Sequence, residues 1–275
     1  MRSSAPGEGL EVPMQIVDLD EGTKALFCAC LEDWPDDAKE AGDRRCRWVD
    51  RFSARGLRAK LALDDAGTPG GMIQYLPIEE STVDGSGLYF IPCIWVHGHK
   101  KGRGDYQGRG MGRALLAAAE EDARSLEAKG MAAWGLWLPF WMKASWFKRH
   151  GYRSVDRDGI ASLLWKPFVA DAQPPRWFRR TAKPLELTPG RVNVTCFVNG
   201  WCTVGDLTAE RARRVAGEFG DRVVFREVDT SEHRTVAEWG LADALFVNGR
   251  QVMTGPPPSA ERIRRIIGKK VARAK

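Results

Sequence analysis

No apolar run in the sequence is long enough to cross a membrane, and Met1-Arg2-Ser3-Ser4 leads into no apolar signal core. A transmembrane anchor and a secretory leader are therefore not expected, and the cytoplasm is the expected location. Cysteine is scarce, with six in 275 residues. That excludes a disulfide-built scaffold and predicts reduced thiols serving mainly as packing groups. A large excess of one charge sign is also missing, but the net +6 is uneven. Residues 1–168 carry 23 Lys/Arg against 24 Asp/Glu, and residues 169–275 carry 19 against 12. The basic tail (Arg262, Arg264, Arg265, Lys269, Lys270, Arg273, Lys275) has no interleaved aromatics, so it reads as a solvated helix face rather than a nucleic-acid site. His97 and His99 alternate with Gly98, but no third ligand of suitable type lies nearby, so no metal is expected.

What is present is a glycine-rich turn between a strand and a helix. Gln107-Gly108-Arg109-Gly110-Met111-Gly112 follows the apolar run Leu88–Val96 and opens the helix-like stretch from Arg113. Glycine lets a backbone approach an anion closely, and a helix N-terminus offers free N–H groups with the positive end of its dipole. The turn is therefore a candidate pyrophosphate cradle. It is not a P-loop, because Arg113-Ala114 stands where Lys and Ser/Thr are required, and it lacks the glycine spacing of the dinucleotide fingerprint.

The segment 170–190 holds Pro174, Pro175, Pro184 and Pro189 and reads as a linker, with Trp177-Phe178 packed onto a domain. Residues 1–11 read as a disordered tail. Between them, 12–169 gives strands at 14–18, 58–63, 71–77, 88–96, 132–138 and 160–167. Helices are expected at 23–31, 36–54, 112–129 (closed by Gly130) and 140–150 (ended by Gly151). After the linker, 191–275 gives strands at 191–198, 222–228, 244–247 and 250–254, with Asn248-Gly249 as a hairpin turn, and helices at 207–219 and 259–268. The class is α/β, a mixed sheet layered with helices followed by a smaller α/β domain.

The Gln/Arg-x-x-Gly-x-Gly/Ala pattern at Gln107–Gly112, the element order, and Ala144-Ser145-Trp146-Phe147-Lys148-Arg149-His150-Gly151-Tyr152 together resemble the GNAT acetyltransferases over residues 12–168. The second part is similar to the YoaP-like, thioredoxin-like domain that follows such units. The resemblance implies an acetyl-CoA-dependent N-acetyltransferase that transfers directly to a small or peptide amine. Gln107, Gly108, Arg109, Gly110, Met111, Gly112 and Arg113 would hold the pyrophosphate. The strand ending Ile94-Trp95-Val96 would pair with the pantetheine arm, while the strand at 132–138 splays away. Many members of that family return the proton from a Tyr four residues before the closing glycine; here that residue is Phe147, which has no proton to give. Tyr89, Cys93 and His150 are the candidate proton carriers, with Tyr152 or a bound water as alternatives. The ten residues His97–Tyr106, longer than is common in the family, suggest a mobile cationic flap or a substrate lid.

For the acceptor, Trp34 and Asp33, within the acidic cluster Glu32, Asp33, Asp36 and Asp37, and Trp137, within the aromatic run 134–147, are the candidates. A decorated helix start and ordinary core packing account for the same residues. In the second domain, Trp201-Cys202-Thr203-Val204-Gly205 stands where a redox motif would, but its second cysteine is Gly205, and Asp243 occupies the cis-proline position. A lone thiol at Cys202 gives an alternative function of thiol, redox or binding type, and a non-catalytic acyl-CoA-sensing module is another. The sequence is compatible with a homodimer.

Overall fold

Asp20 ends the first strand and starts the first helix. After β1 (Gln15–Asp18), its carboxylate accepts from the Thr23 N–H at 2.8 Å while the Thr23 hydroxyl oxygen accepts from the Asp20 N–H at 3.2 Å, a reciprocal cap that opens α1 (Glu21–Cys28). The coordinates are a computed structural model that describes residues 14–33, 35–138, 141–252 and 256–273. The single helix expected over 36–54 is two, α2 (Asp36–Glu40) and α3 (Arg44–Ser53), because Gly42 between them takes φ +71°. β2 (Arg58–Leu63), β3 (Pro69–Pro77), the short β4 (Val83–Asp84) and β5 (Leu88–Val96) follow. Then come α4 (Met111–Ser125), β6 (Gly130–Leu136), α5 (Ala144–Arg149), β7 (Arg153–Asp158) and β8 (Ala161–Pro167).

Seven of these strands form one sheet in the order β1-β2-β3-β5-β6-β8-β7, in which only β5 and β6 run parallel. α1 and α3 cover one face, with Phe27, Trp48 and Phe52 packed over Leu61, Met72, Leu76 and Phe90. α4 and α5 cover the other, with Leu115, Ala119 and Phe147 over Ile73, Ile91, Met131 and Leu164. Gly130 does not cap α4. The helix stops at Ser125, Glu127 takes the left-handed φ of +59°, and Gly130 begins β6, where a Cβ would lie 2.8 Å from the Lys166 carbonyl.

The expected linker is pinned at its start, since β9 (Arg176–Trp177) pairs antiparallel with β4. β10 (Val192–Val198), α6 (Thr203–Gly217), β11 (Val223–Asp229), α7 (His233–Trp239), β12 (Ala244–Val247), β13 (Arg250–Gln251) and α8 (Ala260–Val271) build the second unit around a sheet ordered β11-β10-β12-β13. Ser259 caps α8, accepting from the Arg262 N–H at 3.2 Å, and the hairpin residues Asn248 and Gly249 take φ +49° and +73°. α6 and α8 bury Ala212, Val215, Ile263 and Ile267 on one face of this sheet, and Leu185 of the linker packs with Trp239 on the other, over Phe197 and Phe246.

The two units lock together through charges far apart in sequence. Arg44 reaches Glu210 at 2.7 Å and Glu227 at 2.5 Å, and Arg211 reaches Asp37 at 2.7 Å and Glu40 at 2.8 Å. Arg55 meets Glu232 at 2.7 Å, and His233 Nδ1 lies 2.7 Å from the Ser81 carbonyl. One expectation about cysteine is corrected: Cys28 at the end of α1 and Cys46 in α3, with Cα atoms 5.3 Å apart, form a disulfide that ties the two helices.

Candidate active site

The parallel pair at the centre of the first sheet is a fork. β5 and β6 stay paired from Leu88 with Gly130 to Ile91 with Ala133, and the ladder then ends. The cause lies in β5. Gln74 pairs with Cys93 and Leu76 with Phe90, so two steps along β3 match three along β5, and β5 carries one extra residue. Pro92, which has no N–H to pair, lies inside this bulge. The Trp134 indole, from β6, donates to the Pro92 carbonyl at 2.7 Å across the opening. Beyond it Ile94, Trp95 and Val96 are held on one side only, by Ile73, Met72 and Gly71 of β3.

The open edge of β5 leads to the glycine turn. Gly108 (φ +77°) and Gly110 (φ +85°) are both left-handed and exposed, and a Cβ on either would meet nothing within 4 Å. Gly110 is the N-cap of α4, and no side chain caps the helix, so its first N–H groups point into open space. Gly112 packs inward, its would-be Cβ 3.5 Å from the Trp146 ring, and Met111 is buried. An uncapped, glycine-led helix N-terminus therefore stands at the mouth of the fork, and the chemistry of its N–H groups fits a pyrophosphate. Side chains contribute less than expected. Gln107 folds over Gly98, Arg109 stacks on Tyr106 at 5.0 Å from its ring centroid, and Arg113 is exposed in the first turn of α4.

The long entrance is a folded hairpin rather than a free flap. The Tyr106 N–H donates to the His97 carbonyl at 2.9 Å, and Gly98 bridges to Asp105. Arg103 ties it to the end of α1, donating to the Leu31 carbonyl at 3.1 Å and to Asp33 at 2.9 Å, with His99 3.8 Å from Glu32. His97 is fully buried. Its Nδ1 lies 2.6 Å from the Gly104 carbonyl, which can only accept, so Nδ1 donates there, and Nε2 has no partner among the described residues.

The three proton-carrier candidates do not converge. Cys93 faces the α1/α3 side, where burial pushes its thiol well above the usual range. Tyr89 packs on the α4 side, and burial raises its phenol too. His150 stacks on Trp146 at 4.2 Å, with Nδ1 2.8 Å from the Trp146 carbonyl. Phe147 is core, and Tyr152 is buried on the same side, its phenol raised by burial and by nearby Glu120. Among the acceptor candidates, Asp33 is engaged by Arg103, Trp137 is 62% exposed in the turn after β6, and Trp34 lies outside the described residues. Arg211 holds Asp37, so two acids of the expected amine-binding cluster neutralise arginines instead.

Sequence reasoning singled out neither Arg45 nor Gln74, and it named Trp201 only within the redox-like fragment. Arg45 donates to Gln74 Oε1 at 2.9 Å and to Cys30 Sγ, Gln74 Nε2 donates to the Trp201 carbonyl at 3.3 Å, and Cys30 Sγ lies 3.0 Å from the Thr203 hydroxyl. This network joins the two units directly beside Cys93, the strand partner of Gln74. A charged Arg at an inward position of an amphipathic helix was the available signal. In the second unit, burial pushes the Cys202 thiol up to about 12, the opposite of what a reactive thiolate requires.

Residues 22–136 match the model of the Acetyltransferase (GNAT) family. No curated protein is a match for the sequence. Among solved structures, the chain is similar to the GNAT family N-acetyltransferase YhbS from Escherichia coli in complex with CoA, with 14% identity, 64% of this chain and 93% of that one covered, and a TM-score of 0.43. It is similar to a GNAT family acetyltransferase from Brucella melitensis in complex with acetyl-CoA (18% identity, 59% and 93% covered, TM-score 0.40). A third is the PaiA N-acetyltransferase from Thermoplasma acidophilum in complex with coenzyme A (12%, 57% and 99%, 0.41). Residues 22–136, less than half of the chain, are thus a GNAT acetyltransferase domain.

Proposed function

We infer that the chain is an acetyl-CoA-dependent N-acetyltransferase. The observation that carries this reading is the continuity of two features: a fork in the sheet with one unpaired strand edge, and an uncapped, glycine-led helix N-terminus at its mouth. The N–H groups of Met111, Gly112 and Arg113 would take the pyrophosphate, and the free edge of Ile94–Val96 would pair with the amide-bearing arm. In the transfer, the amine nitrogen bonds to the acetyl carbonyl carbon as the carbon–sulfur bond breaks. Coenzyme A leaves as the thiol, its sulfur gaining, directly or relayed through solvent, the proton that the amine loses. A lone reactive thiol at the half-buried Cys202 is disfavoured because desolvation pushes its pKa up. A thioredoxin-like, YoaP-like second domain over 191–275 agrees with the β10-α6-β11 and β12-β13-α8 order, and the contacts of α6 with α2 and α3 support a role for it beside the acceptor.

Calorimetry with acetyl-CoA and CoA, followed by thiol release over a panel of amines, tests the reading. Gly110→Asp adds a negative charge and forces a non-glycine residue to φ +85°, a strain of about 1–2 kcal/mol, and is expected to weaken CoA binding about tenfold or more. Absence of CoA binding by the native chain, or unchanged affinity in both Gly110→Asp and Gly112→Asp, refutes it.

A further inference from the structure

The Cys28–Cys46 disulfide heads a chain of contacts that ends at the glycine turn. Cys28 closes α1, Cys46 lies in α3, and both residues keep part of their surface in solvent. Just beyond Cys28, Cys30 and Leu31 take left-handed φ values of +55° and +62°. Consecutive non-glycine residues persist in that region only where their surroundings hold them. The holders here are the disulfide, the fully buried Leu31 side chain, and Arg45, which follows Arg44 into α3 and donates to Cys30 Sγ.

The turn so formed presents the Leu31 carbonyl and the Asp33 carboxylate to Arg103, at 3.1 and 2.9 Å, and Glu32 to His99 at 3.8 Å. These contacts fasten the tip of the 97–106 hairpin to the end of α1. The base of the hairpin is held elsewhere, by the His97 N–H on the Gly70 carbonyl at 2.9 Å and the Tyr106 hydroxyl on Asp64 at 2.9 Å. At the tip, His99, Lys100, Lys101 and Gly102 are exposed. The hairpin then runs straight into Gly108, with Gln107 folded over Gly98 and Arg109 stacked on Tyr106.

We propose that the Cys28–Cys46 disulfide is a redox switch that sets the order of this hairpin and, through it, of the glycine turn. In the reduction the S–S bond breaks and each cysteine sulfur takes one electron and one proton. A dithiol reductant supplies both pairs as its own two thiols close into a disulfide; hydrogen peroxide reverses the step, removing two electrons and two protons and leaving as two waters. Without the bond, the left-handed pair relaxes toward ordinary backbone, the Leu31 carbonyl and Asp33 leave the reach of Arg103, and the tip comes free. A freed hairpin must be ordered again when an anion binds at the turn, which weakens that binding. The effect on CoA rests on the transferase reading above; release of the hairpin does not.

The hairpin carries its own probe, because trypsin cuts after Lys100, Lys101 and Arg103. The full chain is digested briefly after peroxide and after dithiothreitol, the state of the bond is checked by thiol labelling, and the cuts are located by mass spectrometry. Reduction is expected to speed cleavage at Lys100 and Lys101 about tenfold while changing it less than about twofold at Arg179, Arg180 and Lys183. Cys46→Ala is expected to show the fast rate with or without reductant. Arg103→Gln is expected to show it with the bond intact, so the test does not depend on how the cysteine variant folds. CoA affinity is expected to fall about threefold or more on reduction. No Cys28–Cys46 bond in the peroxide-treated chain, an unchanged hairpin rate in the reduced chain, an equal rise at the linker sites, or the native rate in oxidised Arg103→Gln overturns the proposal. Unchanged CoA affinity beside a released hairpin overturns the coupling to the turn. Failure of the oxidised chain to bind CoA strikes the transferase reading instead, and the cleavage rates then decide the switch.

Discussion

Asp206 makes a prediction about stability that needs no substrate. Burial pushes its carboxyl from the ordinary 3.8 up to about 7, against the pull of Arg44 and Arg45 and with the push of Asp243 and Glu227. Below about pH 4 the group is protonated in folded and unfolded chains alike and costs nothing. Between about pH 4 and 7 the folded chain keeps a proton that the unfolded chain has released, so stability falls as pH rises, and above 7 the whole penalty is present. Roughly three pKa units at 1.36 kcal/mol each give a penalty on the order of 4 kcal/mol. Asp206→Asn removes this titration. Urea unfolding of both proteins at several pH values should show the variant gaining on the native chain by up to about 4 kcal/mol from pH 4 to pH 8. Carboxylates held low by arginines, such as Glu40 and Asp156, tilt the native curve the other way, but they are common to both proteins and cancel in the difference. A difference that does not change with pH would refute the assignment of Asp206 as a buried, unpaired acid.

Two further perturbations address what holds the fold. Cys46→Ala opens the disulfide to Cys28 and should cost about 2–4 kcal/mol by denaturant titration, with no further loss when the variant is treated with a reductant. Gly240→Ala places a Cβ 2.1 Å from the Arg179 carbonyl at a residue with φ +63°. It should displace the 179–180 segment from α7, lower the melting temperature by several degrees and speed proteolysis of the linker.

Much of the fold was legible because its signals are local. β2, β5 and β12 were read from apolar runs with the boundaries they have, and the Ser259 cap and the Asn248-Gly249 turn from chemistry acting within three residues. β7 (Arg153–Asp158) was hidden because an edge strand with only two half-buried residues, Val155 and Asp156, carries no apolar alternation. α7 is seven residues long with Val236 alone buried, too little for a helical period. The proposed cofactor cradle was visible since glycines and a helix start are contiguous. The network of Arg45, Gln74 and the Trp201 carbonyl was not, because its members lie on α3, on β3 and in the segment after β10, spread over both units. The interdomain pairs likewise join residues such as Arg44 and Glu227, 183 positions apart. The unequal charge of the two halves was countable, but not which arginine meets which acid.

The extra residue in β5 reaches further than the fork it creates. A strand's side chains alternate between its two faces, and the bulge absorbs one added residue, so even positions before it and odd positions after it share a face. Leu88 and Phe90 look toward α1 and α3, and after the bulge Cys93 and Trp95 do so, while Ile94 and Val96 look toward α4. Loss of the single codon for Pro92 would therefore remove the bulge and let the sheet zip shut, yet it would leave the thiol and the indole on the side they already face, because the order 90, 91, 93, 94, 95 then alternates without a break. The fork can thus be closed in one genetic step without exchanging the chemical lining of either side of the strand.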